Sequence, residues 1–335
     1  MGLKVAINGF GRIGRISLRA LLKKPGIEVV AINDLSDGRI LAHLFKYDSA
    51  HGIFNGHVEY DNGYLIINDK KIKMLTERDP EKLPWVFYGV ELVLESTGQF
   101  RKKEKAALHL AAGAKKVIIS AVAKGDSKKE IKTIVLGVND DILMIGDEII
   151  SNASCTTNCL AILLKVLDDN WGVEKGFMTT VHAYTSNQNL QDGPQKDLRR
   201  ARAAAQNIVP STTGAAKTIG LIIPHLDGKI DGMAMRVPVI TGSIADLTCV
   251  MKKRPGIEEI NMAFKNEAGN KLKGVLEYSE AELVSTDIIG NVHSCVFDAP
   301  STMVLDNMVK VVGWYDNEAG YSQRIADLIE KSGKL

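Results

Sequence analysis

The sequence predicts an α/β fold, and three features of its first half carry that expectation. Leu3-Lys-Val-Ala-Ile-Asn8 is a short apolar, β-prone run that passes directly into Gly9-Phe-Gly-Arg-Ile-Gly14. Ile16, Leu18, Leu21 and Leu22 then recur at helical spacing, Pro25-Gly26 ends the helix, and Ile27 to Ile32 supplies a second apolar strand ending in Asn33-Asp34. Apolar strands go on alternating with helical patterns towards residue 150, the order that builds a parallel sheet.

Each part of the first unit has a physical job in binding a dinucleotide. Gly9 allows a tight turn, Gly11 lets the backbone approach a pyrophosphate, and Gly14 lets the helix pack closely on the strand. The pyrophosphate would sit on the helix N-terminus, and Asp34 would accept from the adenosine ribose hydroxyls. A carboxylate there repels a 2′-phosphate, and Leu35 offers nothing to soften the repulsion, so NAD is favoured over NADP. The competing role for Asp34 is a turn cap.

Val58 to Leu75 reads as alternating strands around the turn Asp61-Asn-Gly63, an antiparallel excursion. The parallel pattern resumes with a strand over 90–94, a helix over 102–112 and strands over 116–120, 133–138 and 148–150. Ser96, Thr97 and Ser120 fall at carboxyl ends of strands, where such sheets bind ligands, although loop capping explains each equally well. His43, His51 and His57 lack metal-ligand spacing and read as surface or structural residues.

Composition narrows the function classes. A chain of 335 residues has room for two domains, and 45% hydrophobic with 24% charged residues is ordinary for a globular protein. A net charge of +2 gives no reason to expect a nucleic-acid or membrane partner, and no apolar run reaches the length of a membrane span. Four cysteines in so long a chain form no disulfide framework, and no metal site is expected. The expected location is cytoplasmic.

Ser151-Asn-Ala-Ser-Cys-Thr-Thr-Asn-Cys159 holds the candidate nucleophile. Leu160, Leu163, Leu164 and Leu167 follow at helical spacing, so Ser154 reads as an N-cap and Cys155 as a first-turn residue. The positive end of the helix dipole favours a thiolate there. A buried, inert cysteine is the alternative. Phe177 to Thr185 reads as a strand containing His182, the best-placed base for Cys155 in the second half of the chain. Ser186 to Gln206 lacks apolar periodicity through its first half and carries Lys196, Arg199, Arg200 and Arg202. Pro210-Ser-Thr-Thr-Gly214 precedes a helix starting near Ala215, and Arg236 lies inside the apolar strand Met233 to Val239. Hydroxyls, a helix start and a guanidinium that must find a partner suit a phosphate.

These residues together resemble the phosphorylating glyceraldehyde-3-phosphate dehydrogenase family from end to end. The matching stretches are Asn8 to Gly14, Lys46-Tyr-Asp-Ser49, Ser154-Cys-Thr-Thr-Asn158, Thr180-Val-His182, Asp197-Leu-Arg-Arg-Ala-Arg202, Thr213-Gly-Ala-Ala-Lys217, Arg236-Val-Pro238 and Trp314-Tyr-Asp-Asn-Glu318. The resemblance implies a Rossmann-type NAD-binding domain over 1–150, joined by a C-terminal helix within 317–335. It implies an α+β catalytic domain with a mixed or antiparallel sheet over 151–316. It makes Cys155 the nucleophile and His182 its base. Arg12 and Ile13 would touch the pyrophosphate, Arg78 and Ser120 would make further cofactor contacts, and Asn317 would hold the nicotinamide carboxamide. Ser154, Thr156, Thr213 and Gly214 would surround one anion site, Thr185 and Arg236 the other, with Arg200 at the substrate.

The resemblance further implies a homotetramer. It would oxidise and phosphorylate glyceraldehyde 3-phosphate with NAD and inorganic phosphate, through a hemithioacetal and a thioester on Cys155, as a step of glycolysis. Val122, Asn187, Ala319 and Gly193 depart from commoner residues of that family, and none removes a catalytic group.

Overall fold

The computed structural model describes residues 2–335. Two compact units emerge: one comprises residues up to Ile134, Asp141–Ala153 and Ser322–Leu335, the other Val135–Asp140 and Ser154–Tyr321. The segment 135–140 therefore belongs with the second unit, and the C-terminal helix Ala319–Gly333 is divided at Ser322.

The first unit is built on a nine-stranded sheet. Its strands are β1 (Leu3–Asn8), β2 (Ile27–Asn33), β3 (Val58–Asp61), β4 (Tyr64–Ile67), β5 (Lys70–Leu75), β6 (Leu92–Glu95), β7 (Lys116–Ile119), β8 (Lys132–Thr133) and β9 (Ile149–Ser151). Their order is β3-β4-β5-β2-β1-β6-β7-β9-β8. Only β3, β4 and β5 pair antiparallel to one another, and the tight turn Asn62-Gly63, positive in φ at both residues, joins the first two. All other pairings are parallel, and the central strands are apolar on both faces, as a sheet covered on two sides requires. The strands β1 and β6 lie side by side at the centre, so their carboxyl ends, Asn8 and Glu95, are neighbours.

Two elements differ from the sequence expectation. The helix over 102–112 is broken into Lys103–Ala106 and Leu108–Ala111, and the break adjoins His109, whose imidazole is fully buried. The strand expected over 133–138 stops after Thr133. There the side chain of Asn139 accepts from the Val135 N–H and Gly137 turns at φ +82°, so a side chain replaces the ladder.

The second unit has an eight-stranded mixed sheet. Its strands are β10 (Val173–Ala183), β11 (Val209–Thr212), β12 (Ile230–Val237), β13 (Ser243–Met251), β14 (Leu276–Ser279), β15 (Cys295–Asp298), β16 (Met303–Leu305) and β17 (Met308–Tyr315). The pairs β10/β12 and β14/β15 are parallel and the rest antiparallel. Helix Cys155–Trp171 packs on this sheet, with Leu160, Leu163, Leu164 and Leu167 all fully buried. Burying each such side chain contributes about 1.5–3 kcal/mol, which makes the helix a rigid mount for its first residue.

In the first unit the helix Arg12–Leu21 is tied down through its own first residue. Arg12 forms a two-pronged ion pair with Asp48, at 2.5 and 3.2 Å, and Asp48 also accepts from the Ala50 and His51 N–H groups. Burial pushes the Asp48 carboxyl up, but Arg12 and those N–H groups outweigh it and hold the pKa down at about 2, from 3.8. A depressed carboxyl stabilises the fold above its unfolded pKa and loses that contribution as pH falls through the folded one. Discounted for a guanidinium side chain that is 35% exposed, Asp48→Asn is expected to cost roughly 1–2 kcal/mol at pH 7. In urea titrations, the gap to the unsubstituted protein should shrink as pH falls from 4 towards 2.

Candidate active site and cofactor cleft

In the first unit the glycine turn takes up the expected geometry. Gly9 has φ +93°, and a Cβ there would fall 2.6 Å from the Thr97 N. A Cβ on Gly14 would fall 2.2 Å from the Gly9 carbonyl oxygen, so helix and turn touch backbone to backbone. A Cβ on Gly11 would meet nothing within 4 Å, which leaves open space beside the helix start. Arg12 and Ile13 open that helix, so their N–H groups precede its internal hydrogen-bond ladder. The Arg12 guanidinium is committed to Asp48, so its backbone is what it can offer an anion.

A cavity of about 550 Å³ opens at the carboxyl ends of the strands, lined by Gly9, Gly11, Asp34, Leu35, Arg78 and Thr97 among others. Asp34 accepts from the Phe10 N–H at 2.7 Å and from the Ser36 N–H at 2.9 Å. It is therefore both a turn cap and an acceptor facing the cavity, and the two roles are compatible. Ser120 follows β7, with its N–H bonded to the Glu95 carbonyl. Open backbone at the helix start, a carboxylate at the end of β2 and a cleft of this size fit a dinucleotide.

In the second unit the N-cap is as expected: the Ser154 hydroxyl accepts from the Thr157 N–H, and Cys155 occupies the first helical position. Cys155 Sγ lies 3.5 Å from His182 Nε2. His182 stands near the end of β10, in register with Arg236 on the neighbouring β12. Its Nδ1 lies 2.7 Å from both the Ala183 carbonyl oxygen and Arg236 Nη1. A carbonyl can only accept and a guanidinium can only donate, so one ring nitrogen cannot serve both. Arg236 Nη1 has the Ala183 carbonyl, at 3.0 Å, as an alternative acceptor. With the proton on Nδ1 given to that carbonyl, Nε2 is left as a free acceptor facing the sulfur.

Burial, with the nearby Arg236 charge adding to it, pushes the His182 imidazolium down to about 3, so the ring is neutral at physiological pH. Burial also pushes the Cys155 thiol up, with Arg236 pulling the other way. That differs from the sequence expectation, in which the helix terminus sets the balance. The partly buried sulfur loses more from desolvation than the helix start and guanidinium return. The resting pair is a thiol beside a neutral imidazole, an arrangement in which the proton can pass from sulfur to Nε2.

Tyr315, at the end of β17, lies in the matching stretch Trp314 to Glu318, but nothing in the sequence gives it a role. Its hydroxyl bonds Thr156 at 2.9 Å and Thr180 at 2.7 Å, which pins the cysteine helix start to β10. The Thr156 hydroxyl is thus already engaged and buried. Asn317 accepts at Oδ1 from Ser243, whose oxygen in turn accepts from the Ala183 N–H. This leaves the Asn317 amide nitrogen for an acceptor.

The structure brings Arg200 to the hydroxyl-bearing stretch Pro210 to Gly214, where it donates to Ser211 at 2.9 and 2.6 Å. Thr213 caps the Ala215 N–H, next to the exposed Gly214. The Thr185 hydroxyl donates to Asn187, and Arg236 Nε is buried without a hydrogen bond. Arg200 is close enough to Arg236 to oppose its charge. Among the described residues no cluster of ligands could hold a metal ion.

Comparison with known proteins agrees with this chemistry. Residues 3–103 match the family described as glyceraldehyde 3-phosphate dehydrogenase, NAD binding domain, and residues 154–317 match its C-terminal domain. The chain is 54% identical to glyceraldehyde-3-phosphate dehydrogenase of Clostridium pasteurianum, across 99% of each chain. It is 56% identical to that of Geobacillus stearothermophilus, across 98% of this chain and 97% of the relative, and 55% identical to that of Mycobacterium avium, across 100% and 99%. With NAD as its cofactor, the chain belongs to the glyceraldehyde 3-phosphate dehydrogenase family.

Proposed function

We propose that this chain oxidises and phosphorylates D-glyceraldehyde 3-phosphate to 1,3-bisphosphoglycerate, a step of glycolysis, with Cys155 as nucleophile and His182 as its base. The observation that carries the reading is the 3.5 Å approach of Cys155 Sγ to an imidazole nitrogen that has a free lone pair. His182 Nε2 takes the thiol proton as sulfur adds to the aldehyde carbon, giving a hemithioacetal. Backbone N–H groups at the cysteine helix start stabilise the oxyanion. NAD, when bound, supplies the hydride acceptor. The His182 imidazolium returns that proton to the oxyanion and removes it again as hydride leaves the same carbon for the cofactor, leaving a thioester on Cys155.

Arg236 and Thr185 hold one phosphate, and Ser154, Thr156, Thr213 and Gly214, with Arg200 beside them, hold the other. The Arg236 guanidinium near the thiol, with Arg200 close to Arg236, supports this assignment, as does the buried Arg236 Nε that lacks a protein partner. Inorganic phosphate attacks the thioester carbonyl, the acyl–sulfur bond breaks, and the thiolate recovers its proton. In the first unit, Gly9, Gly11, Arg12 and Ile13 receive the pyrophosphate, Asp34 the ribose, and Arg78 and Ser120 flank them. The Asn317 amide nitrogen, oriented by Ser243, donates to the nicotinamide carboxamide.

The same reading makes the protein a cytoplasmic homotetramer. Exposed Phe177, Ile208, Met303 and Leu305 on the second unit support assembly. No helix among the described residues is long and apolar enough to cross a membrane.

NADH formation from glyceraldehyde 3-phosphate should depend strongly on inorganic phosphate and disappear in Cys155→Ser. Turnover indifferent to phosphate would sink the phosphorolytic step. His182→Asn is expected to lower kcat roughly 10²- to 10⁴-fold with the fold intact by circular dichroism. Loss of charge-assisted hydrogen bonds in Arg236→Leu should raise the KM for phosphate roughly 10- to 150-fold. An unchanged phosphate KM would remove Arg236 from the anion site.

A further inference from the structure

Beneath the cofactor cavity lies a buried polar chain that the catalytic chemistry does not use. Glu95, at the carboxyl end of β6, is 1% exposed, and His109 is 0% exposed. Glu95 Oε2 lies 2.6 Å from Asn8 Nδ2 and 3.1 Å from His109 Nε2. Its other oxygen accepts from the Thr97 N–H at 2.8 Å and from the Thr97 hydroxyl. No Lys or Arg takes part in this network.

The direction of every bond in the chain is fixed from its two ends. At one end the Trp85 Nε1–H, which can only donate, points at His109 Nδ1 from 3.2 Å. His109 Nδ1 must therefore accept, so the ring carries its proton on Nε2 and donates to Glu95. At the other end the Glu77 N–H donates to Asn33 Oδ1, and Asn33 Nδ2 donates to the Glu77 carbonyl. A backbone peptide thus sets which way the Asn33 amide lies. Asn33 Nδ2 also donates to Asn8 Oδ1 at 2.7 Å, which leaves Asn8 Nδ2 to donate to Glu95. Donors arrive at Oε2 from both directions and the Thr97 N–H donates to the other oxygen, so the Thr97 hydroxyl alone could take a proton from Glu95.

We infer that Glu95 is a positioning residue for the NAD cleft, held as an acceptor at Oε2 by Trp85–His109 on one side and Glu77–Asn33–Asn8 on the other. This rests on the NAD reading of the cavity. The Glu95 carboxyl group sets the Thr97 peptide and hydroxyl, and the Thr97 hydroxyl in turn accepts from the Gln99 N–H at 3.0 Å. Thr97 is the residue against which Gly9 nests, and Asn8, Asn33, Glu77, Thr97 and Gln99 all line the cavity. The cavity wall and the glycine turn therefore take their shape from one buried carboxyl group. A glutamine at 95 would turn its NH2 either to the Asn8 and His109 donors or to the Thr97 N–H, and that conflict would be relieved only by moving the wall.

Titration calorimetry of the full chain with NAD, steady-state kinetics and ¹⁵N spectra of labelled histidine test this together. Glu95→Gln is expected to weaken NAD binding by about tenfold or more, while kcat at saturating NAD stays within about threefold. His109→Leu, which removes a donor outside the cavity, should weaken NAD binding in the same way. His109→Gln should restore it, because an amide can accept from Trp85 and donate to Glu95. This pair of variants carries the test if Glu95→Gln does not fold. The spectra should show His109 as the Nε2–H tautomer. Wild-type NAD affinity in Glu95→Gln, an equal loss in His109→Gln and His109→Leu, or an Nδ1–H tautomer would each overturn the inference. Failure of the unsubstituted protein to bind NAD would instead sink the cofactor reading, and the tautomer would still decide the polarity of the network.

Discussion

Cys155 Sγ and His182 Nε2 meet at 3.5 Å because two rigid elements distant in sequence are clamped together. The helix that begins at Cys155 buries its leucines on a mixed sheet, which fixes its axis. Its first turn is fixed separately, by the Ser154 cap and by the bonds running from Thr156 through Tyr315 to Thr180 on β10. His182 lies two residues beyond Thr180 on that strand, on the same face as the side-chain period of a strand requires. One tyrosine hydroxyl thus ties the helix that carries Cys155 to the strand that carries His182. Burial pushes its pKa well above 10, so it remains protonated and can donate to one threonine while accepting from the other.

The electrostatics of the second unit follow from the register of two strands. Arg236 on β12 stands opposite His182 on β10, so a fixed positive charge lies beside the imidazole without occupying the nitrogen that faces the sulfur. Its presence disfavours an imidazolium in the resting state and favours negative charge at the thiol. The first unit uses a different device. There a buried carboxyl group, satisfied by neutral donors alone, shapes a wall of the cofactor cleft. One unit works by the proximity of a charge, the other by the direction of hydrogen bonds.

Much of this was legible in the sequence wherever the signal was local. The strand, glycine turn and helix from Leu3 to Leu21, the Asn62-Gly63 hairpin and the capped helix after Ser154 all depend on residues within a few positions of one another. Local patterning failed where a distant partner decides. The helix over 102–112 breaks beside His109, whose ring is bonded to Trp85 and Glu95, and the strand after Thr133 gives way to a turn held by Asn139. The Cys155–His182–Arg236 constellation depends on strand register, which no spacing reveals. Its members were named from residue type and family resemblance, and Tyr315 was missed. The thiol's elevated pKa was also beyond reach, because the desolvation that causes it comes from tertiary burial.

The account turns on a covalent acyl intermediate at Cys155, and a single turnover without phosphate tests it most directly. Mixing enzyme, NAD and glyceraldehyde 3-phosphate in phosphate-free buffer should give a burst approaching one NADH per chain. The phosphoglyceroyl mass should then appear on the peptide carrying Cys155 and leave when phosphate is added. A burst with the acyl group on another residue, or steady turnover with no acylated peptide, would contradict the account.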